Sequence, residues 1–188
     1  MTSFIKRISA TFCIFASMMF APQAFAEDGY AQAKSTFQQA SETQKFFNNA
    51  YGYALFPTVG KGGIGIGAAY GKGRVYRGGS YTGDTSLTQV SFGFQLGGQA
   101  YSEIIFFKDE AAYRDFTSGS FEFGAQASAV AINIGANAQA GTTGNSAGAG
   151  KSAAKAAYIN GMAVFTVAKG GLMFEAALAG QSFTFEEK

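Results

Sequence analysis

The sequence predicts an α+β chain that is mainly β. Its core is an antiparallel sheet or a barrel-like β core, with an N-terminal amphipathic helix and one short helix near residues 109–117. Three observations predict this. Apolar residues alternate with small or polar ones over most of the chain after Gly52. Glycine, at 26 residues, punctuates those runs at short spacing. Little helical periodicity is left between the runs, which favours antiparallel neighbours over crossover connections.

In chain order, Lys6 and Arg7 precede an apolar run from Ile8 to Phe20, followed by Pro22 and Ala24-Phe25-Ala26. This is the tripartite pattern of a secretory signal, with cleavage expected after Ala26 and a single domain over residues 27–188. The run is shorter than the roughly 20 apolar residues of a membrane span. Cys13 lies inside it with Phe12 before it, which suits a signal core rather than a lipoprotein site. Residues 30–49 read as a helix. They lack Gly and Pro, and Ala33, Phe37, Ala40 and Phe47 recur at helical spacing.

Strands are expected at Ile64–Tyr70, Val75–Tyr81, Gln89–Leu96, Ala100–Phe107, Phe121–Phe123, Ser128–Ile134, Met162–Val167, Leu172–Leu178 and Ser182–Phe185. In Ile64–Tyr70 a greasy face alternates with a nearly bare one made of Gly65, Gly67 and Ala69, which lets another backbone approach closely. Asp109 caps a short helix that Ser118-Gly119 stops. Residues 137–157 form a Gly/Ala/Ser-rich stretch expected to be a flexible loop.

Composition excludes several functions. The chain has no histidine, and Cys13 is its one cysteine and departs with the signal. Histidine bases, Ser-His-Asp and Cys-His nucleophiles, ordinary zinc sites and disulfides are thereby removed. No cofactor is expected. A carboxylate pair such as Glu103 with Glu122 or Glu175 is the residual enzymatic option, and the chain reads as non-catalytic. Once Lys6 and Arg7 leave, the 14 basic residues fall to the number of the 12 acidic ones. An exported, neutral domain is a poor nucleic-acid binder. Asn145 replaces the first glycine of a P-loop in NSAGAGKS, and Gly63, Gly65 and Ala68 lie along a strand instead of a strand-to-helix turn. No nucleotide is therefore expected.

One segment occurs twice. Thr58-Val59-Gly60-Lys61-Gly62-Gly63 reappears as Thr166-Val167-Ala168-Lys169-Gly170-Gly171. Gly-Gly after lysine suits a tight turn with positive φ, whose N–H groups can form an anion nest. The lysine then either points to solvent or meets a phosphate headgroup. Between Glu42 and Asp84 there is no acidic residue, while Lys45, Lys61, Lys72, Arg74 and Arg77 all lie there. Aromatic residues are interleaved with them. Phe46 and Phe47 read either as an insertion into a bilayer or as core residues that pin the helix.

The segments AYGYALFPTVGKGGIGIGAAYGKGRVY (Ala50–Tyr76), SLTQVSFGFQLGGQAYSEIIFF (Ser86–Phe107), FTSGSFEFGAQASAVA (Phe116–Ala131) and VFTVAKGGLMFEAALAGQSF (Val164–Phe183) resemble the SYLF domain family of lipid-binding proteins, which includes a yeast group that binds actin. The resemblance covers most of the chain after the signal. It implies a compact domain for anionic phospholipids, phosphoinositides in the eukaryotic members, with an N-terminal amphipathic segment at the membrane. Carried onto this chain by position, that segment is the 30–49 helix, and the Lys61 and Lys169 turns are the family's lysine-glycine motifs. With the charge placement above, the expected headgroup residues are Lys61, Gly62, Gly63, Lys72, Arg74, Arg77, Lys169, Gly170 and Gly171. The membrane-contact residues are Phe37, Phe46 and Phe47. No SH3 or FYVE module accompanies these motifs, and an exported chain meets neither phosphoinositides nor actin. The expectation is a periplasmic domain on an anionic phospholipid or membrane surface. Its rivals are an envelope protein-interaction domain without lipid dependence and an integral outer-membrane barrel. The barrel is disfavoured by the Phe185-Glu186-Glu187-Lys188 terminus and by the lack of tryptophan.

Overall fold

A computed structural model of the chain describes residues 23–124, 132–134, 156–171 and 180–188. The apolar run Ile8–Phe20, the expected strand Leu172–Leu178, most of the expected strand Ser128–Ile134, residues 137–155 and the P-loop-like segment lie outside the described residues. The described part is mainly β, a curled half-barrel. Its elements are α1 (Gln23–Gln39), α2 (Ser41–Asn49), β1 (Gly52–Arg77), β2 (Ser80–Phe107), α3 (Glu110–Phe116), β3 (Phe121–Glu122), β4 (Ile132–Ile134), β5 (Met162–Gly171) and β6 (Gln181–Glu187). The order is β3-β6-β2-β5-β4, with β1 paired to β2. All pairings are antiparallel except β4 with β5.

The expected single helix over residues 30–49 is two helices. Ala40 is extended between them, at φ −78° and ψ 126°. The Thr43 hydroxyl donates to the carbonyls of Phe37 and Ala40, the latter at 2.9 Å, and reinforces the backbone bonds that Ala40 N and Thr43 N make to the same two carbonyls. The short helix behaves as its sequence dictates. Asp109 Oδ1 accepts from Ala112 N at 3.0 Å, and Gly119 takes a positive φ of 95° past its end.

The strands differ more. The runs expected as separate strands between residues 64 and 107 are parts of two long strands joined in one hairpin. The turn is Gly78-Gly79, with φ values of 55° and 84°, between the paired residues Arg77 and Ser80. Two successive positive φ values match the twist of a two-residue hairpin, and glycine adopts them without a Cβ clash. The expected strand Val75–Tyr81 therefore crosses the actual turn. Conversely, the expected turn at Lys61-Gly62-Gly63 is continuous strand, opposite Gln99, Gly98 and Gly97.

The hairpin is bent. Between Ile64 and Ile66 the register with β2 jumps from Leu96 to Phe92, and beyond this irregularity β1 lies back over its own first half. A Cβ on Gly73 would stand 2.6 Å from the Phe56 ring, and one on Gly71 would stand 2.8 Å from Val59 Cγ2. One on Gly52 would strike the Tyr76 carbonyl. At the hairpin tip, Gly78 N donates to Tyr51 O at 3.3 Å. The bare glycine face is thus the one that packs.

Two apolar clusters result. Inside the curl lie Phe56, Leu87, Ile105, Phe107, Phe116 and Phe183, closed by α3. On the outer side of β1, β2 and β5, Leu55, Ile104, Phe106 and Phe165 are covered by Phe37 of α1 and Phe46 of α2. Phe37 and Phe46 are buried, and half-buried Phe47 packs edge-on against Phe106 at 4.9 Å. This corrects their reading as membrane-contact residues. In this fold they fasten the helices to the sheet, and Phe37 and Phe46 have no surface to offer a bilayer.

Candidate functional site

The two lysine-glycine copies flank β2 at one height. Lys61 is opposite Gln99, and Gly170 and Gly171 are opposite Ala100 and Gln99. Their lysines nevertheless point to different places. In β1 the extra residue of a bulge falls between Phe56 and Val59, at Pro57-Thr58, where proline's missing N–H costs no ladder bond and Ser102 Oγ donates to Pro57 O at 2.7 Å. The strand is regular from Val59 on, so Lys61 follows Val59 to the inside of the curl. It is only 6% exposed and is engaged within the fold. In β5, Ala168 pairs with Tyr101 and Gly170 with Ala100, so Lys169 itself is the bulged residue. It is exposed, and its Nζ donates to Thr58 Oγ1 at 3.0 Å. The positive-φ nests expected at Gly62-Gly63 and Gly170-Gly171 do not form, because both pairs are strand residues. Lys61 and Lys169 do not converge on one surface.

Beside Lys61 the interior of the curl is polar. Glu103 on β2 is fully buried, and Gln181 Nε2 donates to its Oε2 at 3.2 Å and to the Tyr101 hydroxyl at 3.3 Å. Burial pushes the Glu103 carboxyl up to about 8, against the smaller opposing effect of the Gln181 bond. Burial also raises Tyr101, with Glu103 adding to it. Glu103 Oε1, Thr166 Oγ1 and Gln181 Oε1 have no hydrogen-bond partner among the described residues. Glu122 pairs with Ser182 in the step after Phe121 pairs with inward Phe183, and it is exposed. Glu103 and Glu122 therefore face opposite sides of the sheet and do not form the carboxylate pair considered above. Glu175 lies outside the described residues.

The outer face of the hairpin's folded-back half carries a graded surface. Across β1, β2 and β6 its residues stand in rows. Arg74, Asp84 and Glu186 form the row nearest the turn. Next come Lys72, Ser86 and Thr184, whose two hydroxyls are 2.7 Å apart. Tyr70, Thr88 and Ser182 follow, then Ala68 with Val90, and Ile66 at the bend. Ile66 and Val90 are 60% and 61% exposed, and Tyr70 is 52% exposed. The charged end forms a groove of about 590 Å³. Tyr30 of α1 lines one wall, with the Arg74 guanidinium 4.4 Å from its ring centre and 5.3 Å from that of Tyr81. Burial pushes the Tyr30 hydroxyl up to about 12, with Arg74 opposing the shift.

Of the five cations between Glu42 and Asp84, only Lys72 and Arg74 share this groove. Lys61 is inside the curl, and Lys45 on α2 donates to the Ala156 carbonyl. Exposed Arg77 lies over the Tyr113 ring of α3, 5.5 Å from its centre. The continuous basic patch read from sequence is therefore divided among separate places. Ile66, Tyr70 and Val90 were missed as surface residues. Their signal was the glycine alternation, because the face that can approach another backbone is the one that turns inward.

The fold is a curled, predominantly antiparallel half-barrel whose outer face runs from apolar to charged. The family model described as "Ysc84: Las17-binding protein actin regulator" matches residues 88–188, more than half of the chain. The protein belongs to this family, the SYLF family that its motifs resemble. Among curated proteins there is no significant match.

Proposed function

We propose that the protein is an exported, non-catalytic lipid-binding domain, cleaved after Ala26 and working in the periplasm on an anionic phospholipid surface. The observation that carries the reading is the outer face of the hairpin. Ile66, Tyr70 and Val90 are exposed on it beside Lys72 and Arg74. An exposed apolar stripe bordered by cations matches the headgroup–acyl boundary of a bilayer, apolar side inward and charge at the phosphates.

The magnitudes rank the two parts. A basic residue near an anionic bilayer contributes about 1 kcal/mol, so Lys72 and Arg74 give at most about 2 kcal/mol, reduced by Asp84 and Glu186 in the same groove. Fully burying a Val or Ile side chain contributes roughly 1.5–3 kcal/mol, so withdrawing the exposed parts of Ile66, Val90 and Tyr70 from water contributes more than the charges do. The result is peripheral, salt-sensitive attachment. The actin-regulator description of the family is not carried over, because an exported chain meets no actin filament.

The test is co-sedimentation with phosphatidylethanolamine vesicles containing rising phosphatidylglycerol. Binding should increase with the anionic fraction and fall with salt. Binding that ignores both, or none at all, overturns the proposal. Capture of an envelope protein without lipid would instead support a protein-interaction domain.

A further inference from the structure

We propose that the groove beneath Tyr30 is a headgroup pocket for a phospholipid that carries a primary ammonium beside its phosphate, the phosphoethanolamine kind. This rests on the lipid reading and specifies its ligand.

The inference starts from an imbalance within the groove. Asp84 and Glu186 stand directly opposite each other on β2 and β6, an arrangement of like charges that destabilises a sheet unless a cation joins them. In the same row Arg74 stands on the far side of Asp84, one strand further from Glu186. Glu186 and Lys72 enter no ion pair among the described residues. The groove therefore has a cationic wall on β1, formed by Lys72 and Arg74, and an anionic wall on β2 and β6. A phosphate on the first wall and an ammonium on the second satisfy both. The backbone of the anionic wall stands one strand spacing from β1 at Asp84 and two at Glu186, roughly 4.7–4.9 Å and 9.4–9.8 Å, a gap that the long Lys72 and Glu186 side chains and the two-carbon link between phosphate and ammonium span together.

A purely anionic headgroup would meet Lys72 and Arg74 but leave Asp84 and Glu186 facing its negative charge. A quaternary ammonium would favour an open aromatic face. Here the rings beside the carboxylates are occupied: Arg74 lies over the Tyr30 ring and shares the Tyr81 ring with Lys188, 5.0 Å from its centre, while the open Tyr70 ring stands two rows away toward the apolar end. Asp84 already meets the Tyr81 hydroxyl and faces Arg74, so Glu186 is the carboxylate that remains, and a primary ammonium can donate N–H bonds to it. The lipid's tail then lies along Tyr70, Ala68, Val90 and Ile66. The net anionic charge of the bilayer governs attraction at a distance, while the groove selects the individual lipid.

The test is calorimetric titration of the purified protein with dihexanoyl phospholipids bearing phosphoethanolamine, phosphocholine or phosphoglycerol heads. The phosphoethanolamine lipid should bind at least threefold more tightly than either of the others. Glu186→Gln should abolish that preference without weakening the phosphoglycerol lipid. Lys72→Gln should weaken all three alike. Equal affinities in the unmodified protein, or a preference that survives Glu186→Gln, overturns the assignment while vesicle binding stands. If neither vesicles nor any of the three lipids bind, the lipid reading itself falls.

Discussion

The two lysine-glycine segments are near-identical in sequence and sit on either side of the same strand, yet one lysine is inside the molecule and the other outside. The difference is the place of one extra residue. Where the bulge precedes Val59, the phase of the following strand carries Lys61 inward; where the bulge is Lys169, that side chain is turned out. Because side chains alternate with a period of two, one added residue exchanges inside for outside. A repeated motif therefore need not repeat a role.

The sharpest way to break this comparison is charge reversal. Lys61→Glu places an opposite charge in a buried, engaged position and should cost about 3–5 kcal/mol of stability. Lys169→Glu should stay within about 0.5 kcal/mol. Urea denaturation of both variants decides it, and equal effects would mean that the two lysines share one environment.

The interior beside Lys61 makes a second prediction. The Glu103 carboxyl lies at about 8 in the folded state against an ordinary value of 4.5, so the folded protein holds a proton that the unfolded chain releases. The Glu103 contribution to stability should thus be greatest below pH 4.5, decline as pH rises toward 8, and level off above it. The total loss is on the order of a few kcal/mol. Glu103→Gln should flatten that slope. A urea midpoint of the unmodified protein that is constant from pH 5 to 8.5 would refute the buried, protonated carboxyl.

On the outer face the expected effects are on binding. Val90→Asp or Ile66→Asp should lower affinity for anionic vesicles about tenfold or more and leave the melting temperature unchanged. Lys72→Gln should lower it about fivefold, equivalent to about 1 kcal/mol. Lys169→Ala loses its bond to Thr58 and should scarcely alter either vesicle binding or melting.

Much of the fold was legible. The α3 helix carries its own cap in Asp109 and its own stop in Gly119, and both signals act within a few residues. Alternation marked residues 64–70 and 89–96 as strand. The length of the strands was not legible, because Gly62-Gly63 and Gly78-Gly79 look alike to local rules. Only the second pair takes positive φ, the first being held extended by its β2 partners. The helix break at Ala40 was hidden because neither Gly nor Pro marks it. Of the candidate site, Lys72 and Arg74 were readable as basic surface. Their grouping with Asp84, Glu186 and Tyr30 was not, since those residues come from distant parts of the chain.

By itself, the sequence determined which residues alternate, where α3 is capped, and that no histidine chemistry is available. These depend on residue type and on spacing over a few positions. The tertiary structure decided the sign of each alternation: which face of the hairpin is buried and which of two like lysines meets water. Periodicity sets the phase of a strand, but inside and outside exist only once a second layer lies against it. In this protein that layer is the same strand folded back, admitted where Gly71 and Gly73 carry no side chain.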